Sequence, residues 1–208
     1  PARPEALRLP RRSRRARGGV GGNTMNEART SGSSGADGQF RHATVLFLDL
    51  VGYSEMPTRL DGDLEALDRI SEALEQVAHV VVSRYHGLVN EVRGDGVVAL
   101  FGLPGVGEGD ARDAIDAALD AHRAMQALAL DDALGVGLPL ELHSGVHSGL
   151  VLLRRATRDH RIFRVTGDAT IVASRLSDAA APGEILVSAE ALSGSEAFFE
   201  VTRRARLD

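Results

Sequence analysis

The sequence predicts an α+β fold: a ferredoxin-like βαββαβ core extended by further strands, with one sheet and helices packed on one of its faces. Three observations support this prediction. Residues 44–50 (TVLFLDL) form a nearly continuous apolar run, which is typical of a buried strand. Residues 64–85 and 110–130 place apolar side chains every three or four positions, as amphipathic helices do. Between these helices, the runs LVNEV and VVALF flank the glycine turn RGDG, which indicates a hairpin.

The predicted elements follow the order β-α-β-β-α-β and then β-α-β-α-β. The first helix is expected to end at Gly87, because glycine suits the left-handed backbone of a helix terminus. A long glycine-containing strand over 138–153 follows the second helix, and a short strand (IFRVT) comes next. A helix is expected from Gly167 to about Asp178, with Asp168 as its N-cap. The strand ILVS, a short helix (AEALSG) and a last strand (FFEVT) complete the domain.

The composition of the chain excludes several classes of protein. The 208 residues carry a net charge of −5, contain no Cys, and use Arg at all 24 Lys-or-Arg positions. Without Lys or Cys there is no Walker-type lysine, no Schiff base, no thiol nucleophile and no cysteine-ligated metal. No apolar run approaches the ~18 residues that a membrane span needs. The sequence therefore predicts a soluble, cytoplasmic protein without a membrane span.

Charge is distributed unevenly along the chain. Residues 1–24 contain seven Arg and one Glu, whereas residues 25–208 contain 17 Arg and 28 acidic residues. The net-acidic body predicts that nucleic acid is not a partner. A Ser/Gly-rich stretch (SGSSGADGQ) follows the basic segment and is typical of a linker. We therefore expect a disordered Arg/Gly/Ser-rich segment over 1–39 and one folded domain over 40–208.

Two carboxylates are the strongest candidates for chemistry. Asp49 lies near the end of the first buried strand, and Asp95 lies in the turn of the hairpin. In a β-α-β-β order the first strand can pair beside the hairpin, which would bring the two side chains together. Such a pair is costly unless a cation lies between its members, and Mg²⁺ suits carboxylates that share it with substrate phosphates. The alternative, that Asp49 caps a strand and Asp95 only forms a turn, is equally compatible with the spacing.

Four motifs together resemble one known family. These are FLDLVGYS, EVRGDGVVALFG, GVHSG and VTGDATIVASRLSDAAAPGEILVS, which are similar, in this order from Thr44 to Thr202, to class III adenylate/guanylate cyclase catalytic domains. The resemblance implies conversion of ATP or GTP to the 3′,5′-cyclic monophosphate and pyrophosphate. It also implies active sites at the interface of a homodimer, or of a heterodimer with another cyclase domain.

The same resemblance implies roles for residues at the metal and phosphate positions. Asp49, Asp95 and the carbonyl of Leu50 would bind two Mg²⁺ or Mn²⁺ ions. The backbone of the turn that follows would hold the triphosphate, which comprises Val51, Gly52, Tyr53 and Ser54.

The chain departs from the family pattern at the positions that a second subunit supplies. Arg175 matches the transition-state arginine, but Ile171 stands where the family has an asparagine that orients the ribose. Glu91, at a purine-selecting position, resembles guanylyl cyclases, because a carboxylate accepts from the guanine N1–H and amine. Arg164, at the partner position, could donate to guanine O6 or form an ion pair with Glu91, and the two alternatives are even.

Two further expectations follow. The family's triphosphate-binding lysine has no counterpart here. Either the chain stops at Asp208 short of that element, which is the favoured expectation, or one of Arg203, Arg204 and Arg206 takes its place. His143 and His147 could suggest a metal pair, but without an evident third ligand, packing in a strand is the favoured interpretation. Because of Ile171 and Arg164, the alternative to an enzyme is a catalytically degenerate domain that binds nucleotide or dimerises as a regulatory module.

Overall fold

A computed structural model describes residues 5–8, 38–103, 105–107, 109–155, 163–201 and 203–206. The strands are β1 (Glu5–Arg8), β2 (Gln39–Leu50), β3 (Leu88–Arg93), β4 (Gly96–Phe101), β5 (Leu142–Arg155), β6 (Phe163–Thr166), β7 (Ile185–Ser188) and β8 (Arg203–Arg206). The helices are α1 (Met56–Arg59), α2 (Leu64–Arg84), α3 (Asp110–Leu130), α4 (Asp168–Ala179) and α5 (Ala189–Leu192). None of the helices in these ranges is long and apolar enough to cross a membrane.

The strands form one sheet in the order β3-β4-β2-β5-β7-β1-β8, and β6 pairs with the distal end of β5. The β5–β7 pair is parallel, and the other pairs are antiparallel. The segment β2-α2-β3-β4-α3-β5 has the connections and the strand order of a ferredoxin-like unit. The predicted core and its extension by further strands are therefore confirmed.

The sheet is covered on both faces, which corrects the expectation of helices on one face. Leu46 and Leu48 of β2 and Val146 of β5 belong to a large apolar cluster with α2 and α3, and we call this side of the sheet the core face. Ala43 and Val45 of β2 pack on the opposite side with residues of α4, and we call this side the α4 face. The connection that returns the chain from β5 to the parallel strand β7 carries α4 across that second side. A strand buried on both faces needs apolar residues in succession, as the run in β2 shows.

Two helix ends differ from their predictions. Asp168 is the first residue of α4 rather than its N-cap, which is Gly167. Gly167 has a φ of 138°, and a Cβ there would lie 2.9 Å from the carbonyl oxygen of Leu150. The close approach of the chain to β5 therefore requires glycine before the helix. At the end of α2, the left-handed residue is His86 (φ 62°) rather than Gly87.

The two ends of the described chain also differ from expectation. The segment FFEVT, predicted as the last strand, contains part of a 3₁₀ turn (Glu196–Phe198), and the strand β8 begins only at Arg203. Phe199 and Val201 pack against the core cluster, so their apolar character reflects packing of an irregular segment. Glu5–Arg8, within the segment expected to be disordered, forms β1 because it pairs with both β7 and β8.

Candidate active site

The sheet register brings the two candidate carboxylate residues to the same end of neighbouring strands. Asp49, the penultimate residue of β2, pairs with Gly96 at the start of β4. Asp95 precedes Gly96 in the hairpin turn, and its carbonyl accepts a hydrogen bond of 2.9 Å from the amide of Leu50. A Cβ on Gly96 would lie 3.1 Å from Oδ1 of Asp49, so the glycine leaves room for that carboxylate beside the turn.

The chemistry of these donors fits a hard divalent cation that is bound together with substrate. Within the described ranges there is no cluster of three or more His, Cys, Asp or Glu side chains that would hold a metal unaided. The two carboxylates and the Leu50 carbonyl are instead all oxygen donors and are few in number. Mg²⁺ is typically bound in this way, with one or two protein carboxylates and with substrate phosphates completing its shell.

The turn after β2 is held between the sheet and α2. Gly52 has a φ of 68°, a left-handed conformation that favours glycine, and its carbonyl accepts from the amide of Glu55. The Tyr53 hydroxyl lies 2.9 Å from Oγ of Ser71 on α2, so this side chain anchors the turn. The amide of Val51 donates to the Glu141 carbonyl across the sheet, which leaves the amides from Gly52 to Ser54 as the candidates for a phosphate.

His143 contacts Asp49 directly, which sequence reasoning missed. The two residues are paired opposite each other on β5 and β2, and Nε2 of the imidazole lies 3.1 Å from Oδ2 of the carboxylate. Its Nδ1 donates to the carbonyl of Ser177 on α4 at 2.7 Å. The hydrogen bond to Asp49 raises the pKa of His143 above its usual value, although partial burial opposes that shift. The signal in the sequence was a histidine near the start of a strand adjacent to β2, but only the register reveals its partner.

Helix α4 directs Ile171 and Arg175 away from the sheet. Its buried residues include Ala173 and Ser177, which face β5. Arg175 is exposed and Ile171 is 54% exposed, and residues four apart lie on one side of a helix. The hydroxyl of Thr170, the polar neighbour of Ile171, donates to the Gly167 carbonyl at 2.7 Å and is therefore occupied locally. The outward side of α4 thus presents Ile171 and Arg175 together.

Glu91 and Arg164, the predicted purine-selecting pair, remain a hypothesis. Glu91 is exposed on β3, where Nε of Arg93 lies 2.7 Å from its carboxylate. This contact raises the pKa of the Arg93 guanidinium. The backbone of Arg164 lies on β6, opposite Arg154, but its side chain lies outside what the structure describes. An ion pair between Glu91 and Arg164 therefore stays a prediction.

Comparison with known families identifies the domain. A family model described as the adenylate and guanylate cyclase catalytic domain matches residues 36–208. The chain belongs to this family. The four sequence motifs indicate the same family, and the predicted resemblance is therefore confirmed.

The chain is also similar to a curated protein and to solved cyclase structures. An uncharacterized protein of Mycobacterium tuberculosis is 32% identical over 163 residues, which are 74% of this chain and 27% of that protein. This chain therefore spans about a quarter of the length of that curated relative. The crystal structure of the adenylyl cyclase CyaB from P. aeruginosa is 28% identical with a TM-score of 0.63, covering 76% of this chain and 81% of that one. The guanylyl cyclase Cya2, 24% identical with a TM-score of 0.68 over 76% and 79% of the two chains, shares the fold.

Proposed function

We propose that this domain is a nucleotidyl cyclase that converts ATP or GTP to a 3′,5′-cyclic monophosphate and pyrophosphate, and so makes a signalling nucleotide. The observation that carries the proposal is the meeting of Asp49, at the end of β2, with the Asp95 turn. The family of the domain and its 28% identity to an adenylyl cyclase support it. In the reaction the ribose 3′ oxygen bonds to the α-phosphorus and the bond from that phosphorus to the bridging oxygen breaks. Pyrophosphate leaves with the bridging oxygen, and the hydroxyl proton passes to solvent.

Asp49, Asp95 and the carbonyl of Leu50 would hold two Mg²⁺ or Mn²⁺ ions. Bound there, the ions supply activation of the attacking oxygen and stabilisation of the leaving pyrophosphate. The chain itself contributes Asp49 at a strand end where Gly96 leaves room for its carboxylate, and Asp95 in the adjacent turn. The amides of the adjacent turn, from Gly52 to Ser54, would bind the triphosphate, because backbone N–H groups bind phosphate oxygens well.

Arg175 would stabilise the charge that develops on the α-phosphate. Because this side chain is exposed on the outward side of α4, away from the sheet that carries Asp49, we place it in the active site of a second subunit. The catalytic unit would then be a homodimer, or a heterodimer with another cyclase domain. In either case each site draws its carboxylates from one chain and its arginine from the other.

Substrate choice would depend on Glu91, and the exposed carboxylate favours guanine over adenine because it can accept from N1–H and the amino group. Its contact with Arg93 would have to open when the base binds. Arg164 would donate to guanine O6 or pair with Glu91.

A regulatory module is the second candidate, and one observation favours it. Ile171 exposes an apolar side chain at the position where the family has a ribose-orienting asparagine. Loss of such an orienting group can cost ~10²-fold in rate. In that case the domain would bind nucleotide or dimerise without efficient turnover.

The decisive experiment measures cyclic nucleotide formation by the purified protein with Mn²⁺ and either ATP or GTP. We expect product from the wild type, and a loss of ~10²-fold or more in both Asp49→Asn and Asp95→Asn, since several kcal/mol of transition-state stabilisation depend on the ions. Asp131→Asn, at the exposed end of α3, is the matched control and should match the wild type. Unchanged turnover in Asp49→Asn would contradict the site assignment.

Two further variants separate the enzyme from the regulatory module. Ile171→Asn should raise the rate by about 10-fold if the orienting group is what the site lacks. No product from either the wild type or Ile171→Asn, with nucleotide binding intact, would establish the regulatory alternative. A mixture of equal amounts of Asp49→Asn and Arg175→Ala chains should recover up to about a quarter of wild-type turnover, because about half of the dimers are mixed and one of the two sites in each mixed dimer is intact.

A further inference from the structure

His143 joins the candidate metal carboxylate to the helix that carries Arg175. One nitrogen of its ring, Nε2, lies 3.1 Å from Oδ2 of Asp49, and the other, Nδ1, lies 2.7 Å from the carbonyl oxygen of Ser177. Each ring nitrogen therefore faces an oxygen that accepts hydrogen bonds. The imidazole side chain is only 16% exposed, which leaves it little freedom to leave this position.

The anchor on α4 is fixed by close packing of the helix on β5. A Cβ on Gly145 would lie 2.5 Å from the backbone nitrogen of Ser177, and nearer still to the carbonyl oxygen of Ala173. The helix backbone therefore rests directly on the strand two residues after His143. The hydroxyl of Ser177 in turn lies 3.5 Å from the His143 carbonyl oxygen, so the two residues contact each other twice.

The two oxygens of Asp49 have different surroundings. Oδ2 faces His143, whereas Oδ1 lies over Gly96, the residue next to Asp95. A carboxylate has a single rotation about its bond to Cβ that satisfies both relations at once. A donor fixed on one oxygen therefore determines the direction of the other.

We propose that His143 is a positioning residue that holds Oδ2 of Asp49 and thereby directs Oδ1 toward the cation position beside Asp95. This inference rests on the proposed role of Asp49 as a metal ligand. The same contact couples the metal-binding end of β2 to α4, so that the carboxylate of one active site and the arginine of the other are held by one side chain. Hydrogen-bonded groups behind metal ligands commonly contribute 10–100-fold in metal affinity.

Two substitutions separate positioning from loss of the ring. His143→Gln places its amide nitrogen near the position of Nε2 and can still donate to Asp49, whereas His143→Asn places it near Nδ1 and can donate only to Ser177. Both variants remove the imidazole ring and keep a neutral amide side chain. A difference between them therefore reports the hydrogen bond to Asp49 and not the loss of the ring.

The measurement is a titration of the full chain with Mn²⁺ alone. The electron paramagnetic resonance signal of free Mn²⁺ reports how much of the ion is bound. We expect His143→Asn to bind Mn²⁺ at least about 10-fold more weakly than His143→Gln, with the same ordering of the Mn²⁺ concentration that half-saturates turnover. Melting temperatures of both variants show whether either has lost its fold. Equal Mn²⁺ affinities in two folded variants would overturn the proposal.

A measurement on the unsubstituted protein keeps the test independent of folding. With ¹⁵N-labelled histidine, addition of Mg²⁺ should shift the ring signals of His143 more than those of His147, which lies farther along the same strand. Failure of the proposed function is distinguishable, because Asp49→Asn would then leave Mn²⁺ binding unchanged. If Asp49→Asn abolishes binding while the His143 signals do not respond to Mg²⁺, only the positioning role is lost.

Discussion

The two faces of the sheet are built from alternate residues of the same strands, yet they have different functions. The core face packs β2 and β5 against α2 and α3 through a large cluster of buried apolar side chains. The α4 face has a smaller apolar cluster, and beyond it the same strands carry Asp49, His143 and His147. A strand with one face fully buried in a core can therefore place polar groups on its other face without losing its position. We expect substitutions on the core face to change stability, and those on the α4 face to change activity.

The largest effect should come from a substitution that creates a cavity on the core face. Leu74 of α2 is 1% exposed within the main cluster, so Leu74→Ala should lower the free energy of unfolding by about 2–5 kcal/mol. Leu64→Ala, at a 69% exposed position of the same helix, should change it by less than about 0.5 kcal/mol. Urea unfolding gives both values. Turnover per folded molecule should remain that of the wild type, and a large fall in it would contradict the separation of the two faces.

An intermediate effect is expected where α4 rests on β5. Gly145→Ala would force the helix away from the strand, because the added carbon meets backbone atoms that cannot rotate aside. We expect a loss of about 1–3 kcal/mol in unfolding free energy. Turnover per folded molecule should also fall, since α4 carries Arg175. The matched control is Gly149→Ala, whose Cβ would lie 3.0 Å from Nε2 of His147 and 3.2 Å from Cβ of Ala169, so that shifts of a few tenths of an ångström suffice. Equal effects of the two substitutions would show that α4 is not held at Gly145.

The contrast between the faces also explains what the sequence could predict. The bounds of α2 and α3 follow from periodic apolar residues, and the structure places them at Leu64–Arg84 and Asp110–Leu130, close to expectation. The proximity of Asp49 and Asp95 follows from the order of the strands and from a tight hairpin. Both features depend on local patterns, which a single sequence displays.

The features that sequence reasoning missed depend on long-range register. The partner of Asp49 is set by the pairing of β2 with β5, and no local pattern states that residue 143 lies opposite residue 49. The side on which α4 packs is set by the return of the chain to β7, and the near-continuous apolar run in β2 was the available sign that both faces are covered. Strand β1 could not be expected from a basic segment, because its stability comes from pairing with two neighbouring strands.

A smaller effect is expected at a polar contact between the helices of the core face. The hydroxyl of Tyr85 donates to Asp120 of α3 at 2.8 Å, and burial together with this bond raises its pKa to about 12. Tyr85→Phe should cost about 1 kcal/mol at neutral pH. Above pH 10 the unfolded chain loses this proton before the folded one does, so the wild type should lose stability up to about pH 12 while the variant loses less. The chain has no Lys and only two Tyr, so few other groups titrate there. Parallel pH profiles of unfolding would contradict the assignment.

The smallest effect we predict concerns His147 on the α4 face, and it has the opposite sign in pH. Burial lowers the pKa of this imidazole below its usual value of 6.5, although Glu190 opposes the shift, and Nδ1 lies 2.8 Å from the hydroxyl of Ser188. On acidification the unfolded chain takes up this proton more readily than the folded one. The contribution of His147 to stability is therefore present above pH 6.5 and is lost as the pH falls below it. Between pH 7.5 and pH 5.5 the melting temperature of His147→Gln should fall by less than that of the wild type. A variant that loses as much would show that the buried ring is not the titrating group on this face.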